Sequence, residues 1–382
     1  MTREEFTSLL LPEVRQAIEE NIDRDPLQVA LDRSVVHARE VATQVKYLQR
    51  ARTKLPRLYE ARAIIPQRAF EQSSSEECAT AKRMRGGSLL DLTCGLGMDA
   101  VAMAESFERV VAVERDEVLA DVVRENLRRM GVGNVEVITA SAEEYVASTE
   151  EHFDWVYADP DRRTAEGRRV VRLEDCSPDM VALYPALGRI TERVAIKNSP
   201  LFDIEEAFRL FGDCTVEVLS LSGECKEVNI YIDGGEARIV AEAVGRERVE
   251  FAREEVEDTP CEGEFVAEEY RYLIIPDVAL QKARLVQHSL RGKADVWSNN
   301  SFGFAREEVD GVLGRVEPIE KIEKFDPKAL KRELRGVGVD ILMREFPQSV
   351  DQVRQRTGMR SGAERRIALT RVEGQAYTIY LK

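Results

Sequence analysis

Between residues 88 and 232, short apolar runs alternate with amphipathic stretches, and this alternation narrows the fold more than any other feature of the chain. The runs SLLDLTC, RVVAVER, NVEVITA, HFDWVYAD, RVAIKNS, TVEVLSL and EVNIYID read as seven strands. Helices are predicted between them over 98–107, 117–130, 141–149, 178–190 and 203–211. Repeated strand–helix alternation implies a mostly parallel α/β sheet with helices on both faces. The link SGECK between the last two runs is too short for a helical crossover, so those strands should be antiparallel neighbours.

The flanking sequence behaves differently. Residues 1–87 read as helical, with apolar residues at three- and four-residue steps in LPEVRQAIEENI and SVVHAREVATQVKYLQRARTKL. Asp25-Pro26 and Leu55-Pro56 punctuate them, because the residue before a proline resists the α conformation. Residues 233–322 are mixed and acidic, with a hairpin predicted at Asp233-Gly234-Gly235 and a helix over 276–290 opened by Pro276 and Asp277. From 323 the order is helix (327–335), strand (337–344), helix (349–357) and a strand pair (365–372, 375–381) turned at Glu373-Gly374, a small α+β module. Four segments result: 1–87, 88–232, 233–322 and 323–382.

Composition excludes several classes. No run approaches the roughly 18–20 apolar residues of a membrane span. The start MTREEFTSLLLPEVRQ does not read as a signal peptide, since acidic residues precede a short apolar run. Six scattered cysteines without CxxC spacing and only three histidines disfavour a disulfide framework and a metal site, and point to reduced thiols in the cytoplasm. The net charge of −15 gives no overall attraction for polyanions, so a nucleic-acid partner would need local basic patches.

The chemistry concentrates at the strand ends. Leu89-Leu90-Asp91-Leu92-Thr93-Cys94-Gly95-Leu96-Gly97-Met98-Asp99 is a buried strand running into a glycine turn and a helix, where a nucleotide-like ligand would lie. Glycine allows close backbone approach, although such a turn also serves strand–helix packing alone. Asp91 would attract an ammonium group. Glu114 ends the second strand about twenty residues later, placed to receive a ribose diol. After the third strand, the Ala142 amide and Glu143 could read an adenine edge, and Ser141 with Glu144 also forms a helix-capping pair. The polar run 69–77 could fold over the ligand through Gln72 and Ser75, with Ser74 or Ser75 also able to cap a helix. The fourth strand ends in Asp159-Pro160-Asp161, and no catalytic His or Tyr is evident, which favours S-adenosylmethionine (SAM) over NAD.

Residues 88–160 resemble the class I SAM-dependent methyltransferases. The whole chain is similar to a bacterial methyltransferase family with a C-terminal THUMP-like domain preceded by a ferredoxin-like segment. The segments that carry this are AFEQSSSEECATAK (69–82), LLDLTCGLGMDA (89–100), YADPDRR (157–163), AIKNSPLFDI (195–204), LSGECKEV (221–228) and ILMREFPQSVDQVRQRTG (341–358), and the resemblance extends over nearly the entire chain. The resemblance implies a seven-stranded Rossmann-like sheet with the last strand antiparallel. It also implies SAM as cofactor, with Asp91, Gly95, Gly97, Asp99, Glu114 and Ala142 lining its site and Asp159 where cofactor and target meet. Gln72, Thr93, Arg115 and Glu143 complete the candidate cofactor set. THUMP domains are generally associated with RNA binding, so the resemblance implies an RNA partner by analogy.

One departure from the wider pattern bears on substrate. Amino-group methylating enzymes often carry Asn/Asp-Pro-Pro-aromatic after strand four; here Asp161 and Arg162 stand at the second-proline and aromatic positions. That disfavours adenine-N6 methylation but not methylation of nucleobases in general. A C5-pyrimidine enzyme would need a nucleophilic Cys, and Cys94, inside the turn, points to packing. Direct transfer to a nitrogen is therefore expected, with Asp159 accepting from the target amine, Asp161 a weaker candidate for the same work, and Pro160 between them in the candidate catalytic set. Arg162, Arg163 and Lys197 are candidate substrate contacts. Three basic clusters could hold phosphates: Arg162, Arg163, Arg168, Arg169 and Arg172; Lys46, Arg50, Arg52, Lys54 and Arg57; and Arg354, Arg356, Arg360, Arg365 and Arg366. Each could equally be a solvated, salt-bridged face. The leading expectation is an RNA methyltransferase acting on a base nitrogen of tRNA or rRNA. The alternatives are a small-molecule or protein methyltransferase, and a SAM-binding protein without turnover.

Overall fold

Prolines and polar caps set the starts of the N-terminal helices in the computed structural model, which describes residues 1–162, 172–257, 259, 261 and 263–382. Helix α1 (Arg3–Leu9) carries a Thr2/Glu5 capping box. Pro12 opens α2 (Pro12–Asn21), and Pro26 opens α3 (Pro26–Leu31), where the Asp25 carboxylate accepts from the Leu27 amide at 2.9 Å. The long α4 (Ala38–Lys54) gives way at Leu55-Pro56 to α5 (Pro56–Glu60), followed by α6 (Gln67–Gln72) and α7 (Glu76–Thr80).

By its contacts the chain divides into two units, Met1–Thr215 with Glu227–Gly235, and Val216–Lys226 with Glu236–Lys382. Residues 1–87 therefore belong to the same unit as the first sheet. One apolar cluster joins Phe6, Val14, Val41, Val45, Leu48 and Ile65 to Leu96, Met98 and Val122. Side-chain amides satisfy the buried backbone of the intervening segment. Asn126 accepts from Ile64 N (2.8 Å) and donates to Ile64 O (2.9 Å), and Gln44 does the same for Ile65 (2.8 and 3.2 Å).

The sheet elements follow as β1 (Gly86–Asp91), α8 (Met98–Met103), β2 (Phe107–Glu114), α9 (Glu117–Met130), β3 (Val135–Thr139), α10 (Ala142–Ser148), β4 (Trp155–Ala158), α11 (Met180–Leu187), β5 (Val194–Asn198), α12 (Ile204–Phe211), β6 (Thr215–Leu221) and β7 (Glu224–Ile232). All seven predicted strands form. Within the first unit the order is β3-β2-β1-β4-β5-β7, parallel from β3 to β5, with β7 antiparallel to β5. The carboxyl ends of β1, β2 and β4 thus lie side by side.

In the second unit, β8 (Arg238–Ala243) lies between β6 and β9 (Arg248–Ala252). The hairpin expected at Asp233–Gly235 is therefore not formed there. It sits at Gly245, whose φ is +75°, because an Asp-Gly pair marks a local turn without choosing which strands meet. The single helix expected over 276–290 is also corrected. Pro276 ends β10 (Tyr272–Pro276), and the chain forms α13 (Val278–Lys282) and α14 (Val286–Ser289), reversing at Arg284. The break puts Leu285 in the interior with Leu280, Val286 and Leu290. Then come β11 (Gly303–Ala305), β12 (Gly314–Lys324), α15 (Pro327–Leu334), β13 (Gly338–Met343), α16 (Val350–Thr357), β14 (Arg360–Ser361), β15 (Arg365–Val372) and β16 (Gln375–Leu381). They build a second sheet, β11-β10-β12-β16-β15-β13-β14. Residue 322 falls inside β12, so the sheet runs through the expected boundary.

Candidate functional site

The turn after β1 is fixed by bonds to both neighbouring strands. Leu92 N donates to Tyr157 O and Cys94 N to Val113 O, both at 2.9 Å, and the Asp91 carboxylate accepts from Thr93 N at 2.9 Å. Thr93 Oγ1 accepts from Asp159 N at 2.6 Å, tying the ends of β1 and β4 together. Gly95 and Gly97 have φ of +55° and +82°. A Cβ at Gly97 would lie 2.9 Å from Val123 Cγ1, so α9 can pack here only against a bare backbone. Gly97→Ala combines this clash with a left-handed conformation costing roughly 1–2 kcal/mol. A lowered urea midpoint and weaker cofactor binding are expected, and a midpoint equal to wild type would refute the packing argument.

Above this turn lies a cavity of about 540 Å³, within the range of small-ligand sites. Its wall includes Gln72, Thr93, Gly95, Asp99, Glu114, Arg115, Ala142, Glu143, Asp159, Pro160, Asp161 and Arg162. Residues 66–74 of the helical region supply another part of the wall through Pro66, Arg68, Ala69 and Ser74. Three expected residues are not on it. Gly97 packs behind the turn, Asp91 lies beneath it at 1 % exposure, and Lys197 is buried rather than open to substrate. Arg163, Arg168 and Arg169 lie outside the described residues.

Each carboxylate has a distinct setting. Glu114 Oε2 accepts from Gly95 N and Oε1 from Asp116 N, each at 2.9 Å; burial raises its pKa above the usual value although these amides pull the other way. Asp161 is held from the helical region by Arg68 (3.0 Å) and Gln72 (3.3 Å), and its backbone exchanges two hydrogen bonds with Ser177. Gln72 thus reaches the loop after β4, and Ser75 caps α7 through Cys78 N. Ser141 and Glu144 form the expected capping box at α10.

Beneath the cavity is a buried charge network that sequence reasoning did not find. Lys82, with its side chain 1 % exposed, donates to Asp99 Oδ1 at 2.7 Å and Glu227 Oε2 at 3.2 Å. Ser74 Oγ donates to Glu227 at 2.9 Å, and Tyr157 OH donates to Asp99 at 2.9 Å. Lys197 pairs with Asp159 and lies 3.9 Å from Glu227. Burial by itself would raise the Asp99 carboxyl, but Lys82 and Lys197 outweigh it and bring the pKa down to about 2. Burial likewise works against the Lys197 ammonium, and Asp159, Glu227 and Asp99 overcome it to hold the pKa above the ordinary lysine value. Glu227 and Lys82 were missed because their partners are fixed only when β7 pairs antiparallel with β5 and Lys197 comes opposite Asn229.

Asp91 completes the picture. Its Oδ2 is buried without a partner, and burial, with Asp99 and Asp159 nearby, pushes its pKa up to about 8. A carboxyl raised in the folded state contributes stability below its unfolded value, lost as pH rises through the folded one. The wild type is therefore expected to lose stability relative to Asp91→Asn between about pH 4 and 8. Parallel stability–pH curves from urea titrations would refute this reading of Asp91.

These residues fit SAM on three observations of the site. An orphaned carboxylate oxygen lies under the wall, the left-handed Gly95 bares its backbone on the wall, and a buried layer of three paired carboxylates against two ammonium groups favours a cation above it. Among the described residues no group of three or more His, Cys, Asp or Glu could hold a metal ion, and no helix is long and apolar enough to cross a membrane.

Comparison with known proteins agrees with the geometry. Residues 89–183 match a methyltransferase-domain family model, and residues 314–381 match a THUMP domain-like model. An uncharacterized S-adenosylmethionine-dependent methyltransferase of Mycobacterium tuberculosis is 26% identical over 314 residues, covering 80% of this chain and 83% of that protein. A tRNA/tmRNA (uracil-C(5))-methyltransferase of Neisseria meningitidis is 28% identical over 163 residues, 36% of this chain and 44% of that one. A crystal structure from Porphyromonas gingivalis W83, of a protein named as a methyltransferase, shares the fold with a TM-score of 0.83 at 24% identity, covering 100% of this chain and 99% of that one. The glycine turn, the acidic strand ends and the two family matches together place the chain among the class I SAM-dependent methyltransferases that carry a C-terminal THUMP-like domain.

Proposed function

We propose that the protein methylates a base nitrogen of structured RNA, tRNA or rRNA, in the cytoplasm. The observation that carries this reading is the Asp159 carboxylate on the cavity wall. Its Oδ2 is held by Lys197, and Oδ1 has no protein partner among the described residues. When bound, SAM supplies an electrophilic methyl group on a sulfonium. Glu114 would hold the ribose hydroxyls, Ala142 and Glu143 the adenine edge, and Thr93 and Gly95 the amino-acid end, with Asp91 beneath them fixing the Thr93 amide. Asp159 would then accept a hydrogen bond from the target amine, aim its lone pair and receive its proton. Lys197 fixes the carboxylate, and positioning of this kind can supply a large part of the barrier reduction. Pro160 stiffens the loop, and Arg162 and Arg163 lie next in sequence for contact with substrate.

The thiols argue against a covalent pyrimidine-C5 route. Burial raises Cys94 well above the ordinary thiol value and pushes Cys176 up to about 11, so neither supplies a thiolate at neutral pH. RNA as substrate is supported by the THUMP-like match and by the similarity to a tRNA/tmRNA enzyme. The test is transfer of labelled methyl from SAM to tRNA and to rRNA purified from cells lacking the gene. Label in one fraction, dependent on Asp159, is the expected result. No label in either fraction, with SAM binding confirmed, would sink the RNA reading in favour of a small-molecule or protein substrate or of a protein without turnover.

A further inference from the structure

The cavity has apolar surface at two places along the sheet. Leu96, Val113 and Leu119 supply it beside the ends of β1 and β2, where the nucleoside part of SAM would lie. Pro160, Pro178 and Leu201 supply it beyond Asp159. The strand order explains the separation. Gly95, Glu114 and Ala142 stand at the ends of β1, β2 and β3, whereas Leu201 follows β5, on the far side of β4 and its Asp159. A cofactor held at the first three strand ends has no use for the second apolar surface, and the carboxylate proposed to meet the target amine stands between the two.

Each part of that second surface is fixed by local bonds. Asp161 N donates to Ser177 O (2.8 Å) and Ser177 N to Asp161 O (3.0 Å), which ties together the segments that carry Pro160 and Pro178. Arg115 donates to Ser177 Oγ at 2.9 Å and braces this bridge from the end of β2. Both prolines are buried, so they form the back of the wall rather than its rim. After β5, Leu201 N donates to Ser199 Oγ (3.2 Å) and Phe202 N to Ser199 O (3.0 Å). The turn sends Phe202 into the core at 2 % exposure and leaves Leu201 68 % exposed. A lone exposed leucine is ordinary on a protein surface. Leu201 differs because it stands on the cavity wall, on a turn anchored by its buried neighbour.

Such a surface suits the face of a flat ring. A base inside a helical stack cannot bring its nitrogen to a bound methyl donor, so it must leave the stack and be held by aromatic or apolar side chains. Asp161 and Arg162 stand where the amino-methylating pattern has its second proline and its aromatic residue, so the loop supplies no ring at those positions. We propose that Pro160, Pro178 and Leu201 form the slot for the target base, with aliphatic walls in place of an aromatic platform, and that Leu201 holds the base once it has left the stack. This rests on the RNA reading above and adds how the base is kept beside Asp159. Aliphatic walls accept the face of any base, so the slot holds the ring while the carboxylate selects the atom.

The test uses the full chain with the same tRNA and rRNA, and compares wild type with Leu201→Ser and Leu201→Met. Affinity for RNA comes mainly from its phosphates, and the base enters the slot after docking. Leu201→Ser should therefore lower the single-turnover rate at saturating RNA by about 5- to 50-fold, the order expected for losing one wall against a base. The dissociation constants for RNA and SAM should change by less than about threefold, and the urea midpoint should stay at the wild-type value because Leu201 is outside the core. Leu201→Met, which keeps an apolar wall, should recover most of the rate. Leu31→Ser, on α3 and 74 % exposed, should behave as wild type. If wild type methylates RNA while Leu201→Ser keeps its rate, or loses RNA affinity in step with the rate, the slot is wrong and the RNA reading stands. If wild type labels neither RNA, the RNA reading fails and the slot with it.

Discussion

Asp159→Asn is expected to lower the turnover of methyl transfer by roughly 10²–10⁴-fold while changing SAM affinity only a few-fold. The substitution keeps the shape of the side chain and a hydrogen bond to its neighbours but removes the acceptor for a proton. Burial pushes the Asp159 carboxyl above the usual aspartate value, with Lys197 pulling the other way. The carboxylate must be ionised to accept, so turnover should rise with pH along an acid limb displaced above that of an exposed aspartate. The limb should be missing in the variant. Single-turnover rates from pH 4 to 8, with SAM binding by calorimetry, check both points. A variant within threefold of wild type, or one with the same acid limb, would remove Asp159 from the chemistry.

Lys82→Met is expected to cost about 3–5 kcal/mol at neutral pH, the usual penalty for removing one partner of a buried ion pair. Lys82 faces both Asp99 and Glu227, each well shielded from water, so its loss strands two carboxylates together. In the wild type Asp99 is depressed to about 2, and its contribution is present above the unfolded value of 3.8 and lost as pH falls toward 2. Without Lys82 the main downward pull on Asp99 disappears and burial drives its pKa upward. A group raised in this way destabilises increasingly as pH rises through the acid range. The deficit of the variant should therefore be greatest near pH 7 and shrink toward pH 4. Urea titrations at pH 7, 5 and 4 test this; a deficit independent of pH would mean that Lys82 acts through packing rather than charge.

These two residues differ in how far the chain announces them. Asp159 follows a four-residue apolar strand and sits beside a proline, a local pattern that needs no knowledge of the fold. The end of β15 was similarly legible, because Glu373-Gly374 turns it. Lys82 and Glu227 are separated by 145 residues and meet with no motif between them. The same limit explains the misplaced hairpin at Asp233–Gly235 and the broken helix near Arg284, where burial decided against a locally reasonable reading.

The sequence by itself determined the strand–helix order, the glycine turn and the acidic strand ends, because periodicity, caps and turn residues act over a few positions. Only the tertiary structure decided that residues 66–74 wall the cavity and that Lys197 holds Asp159 instead of facing solvent. Those outcomes depend on which distant groups share a buried, weakly screened space. There, pairing energies and desolvation costs of several kcal/mol fix partners that local sequence cannot specify.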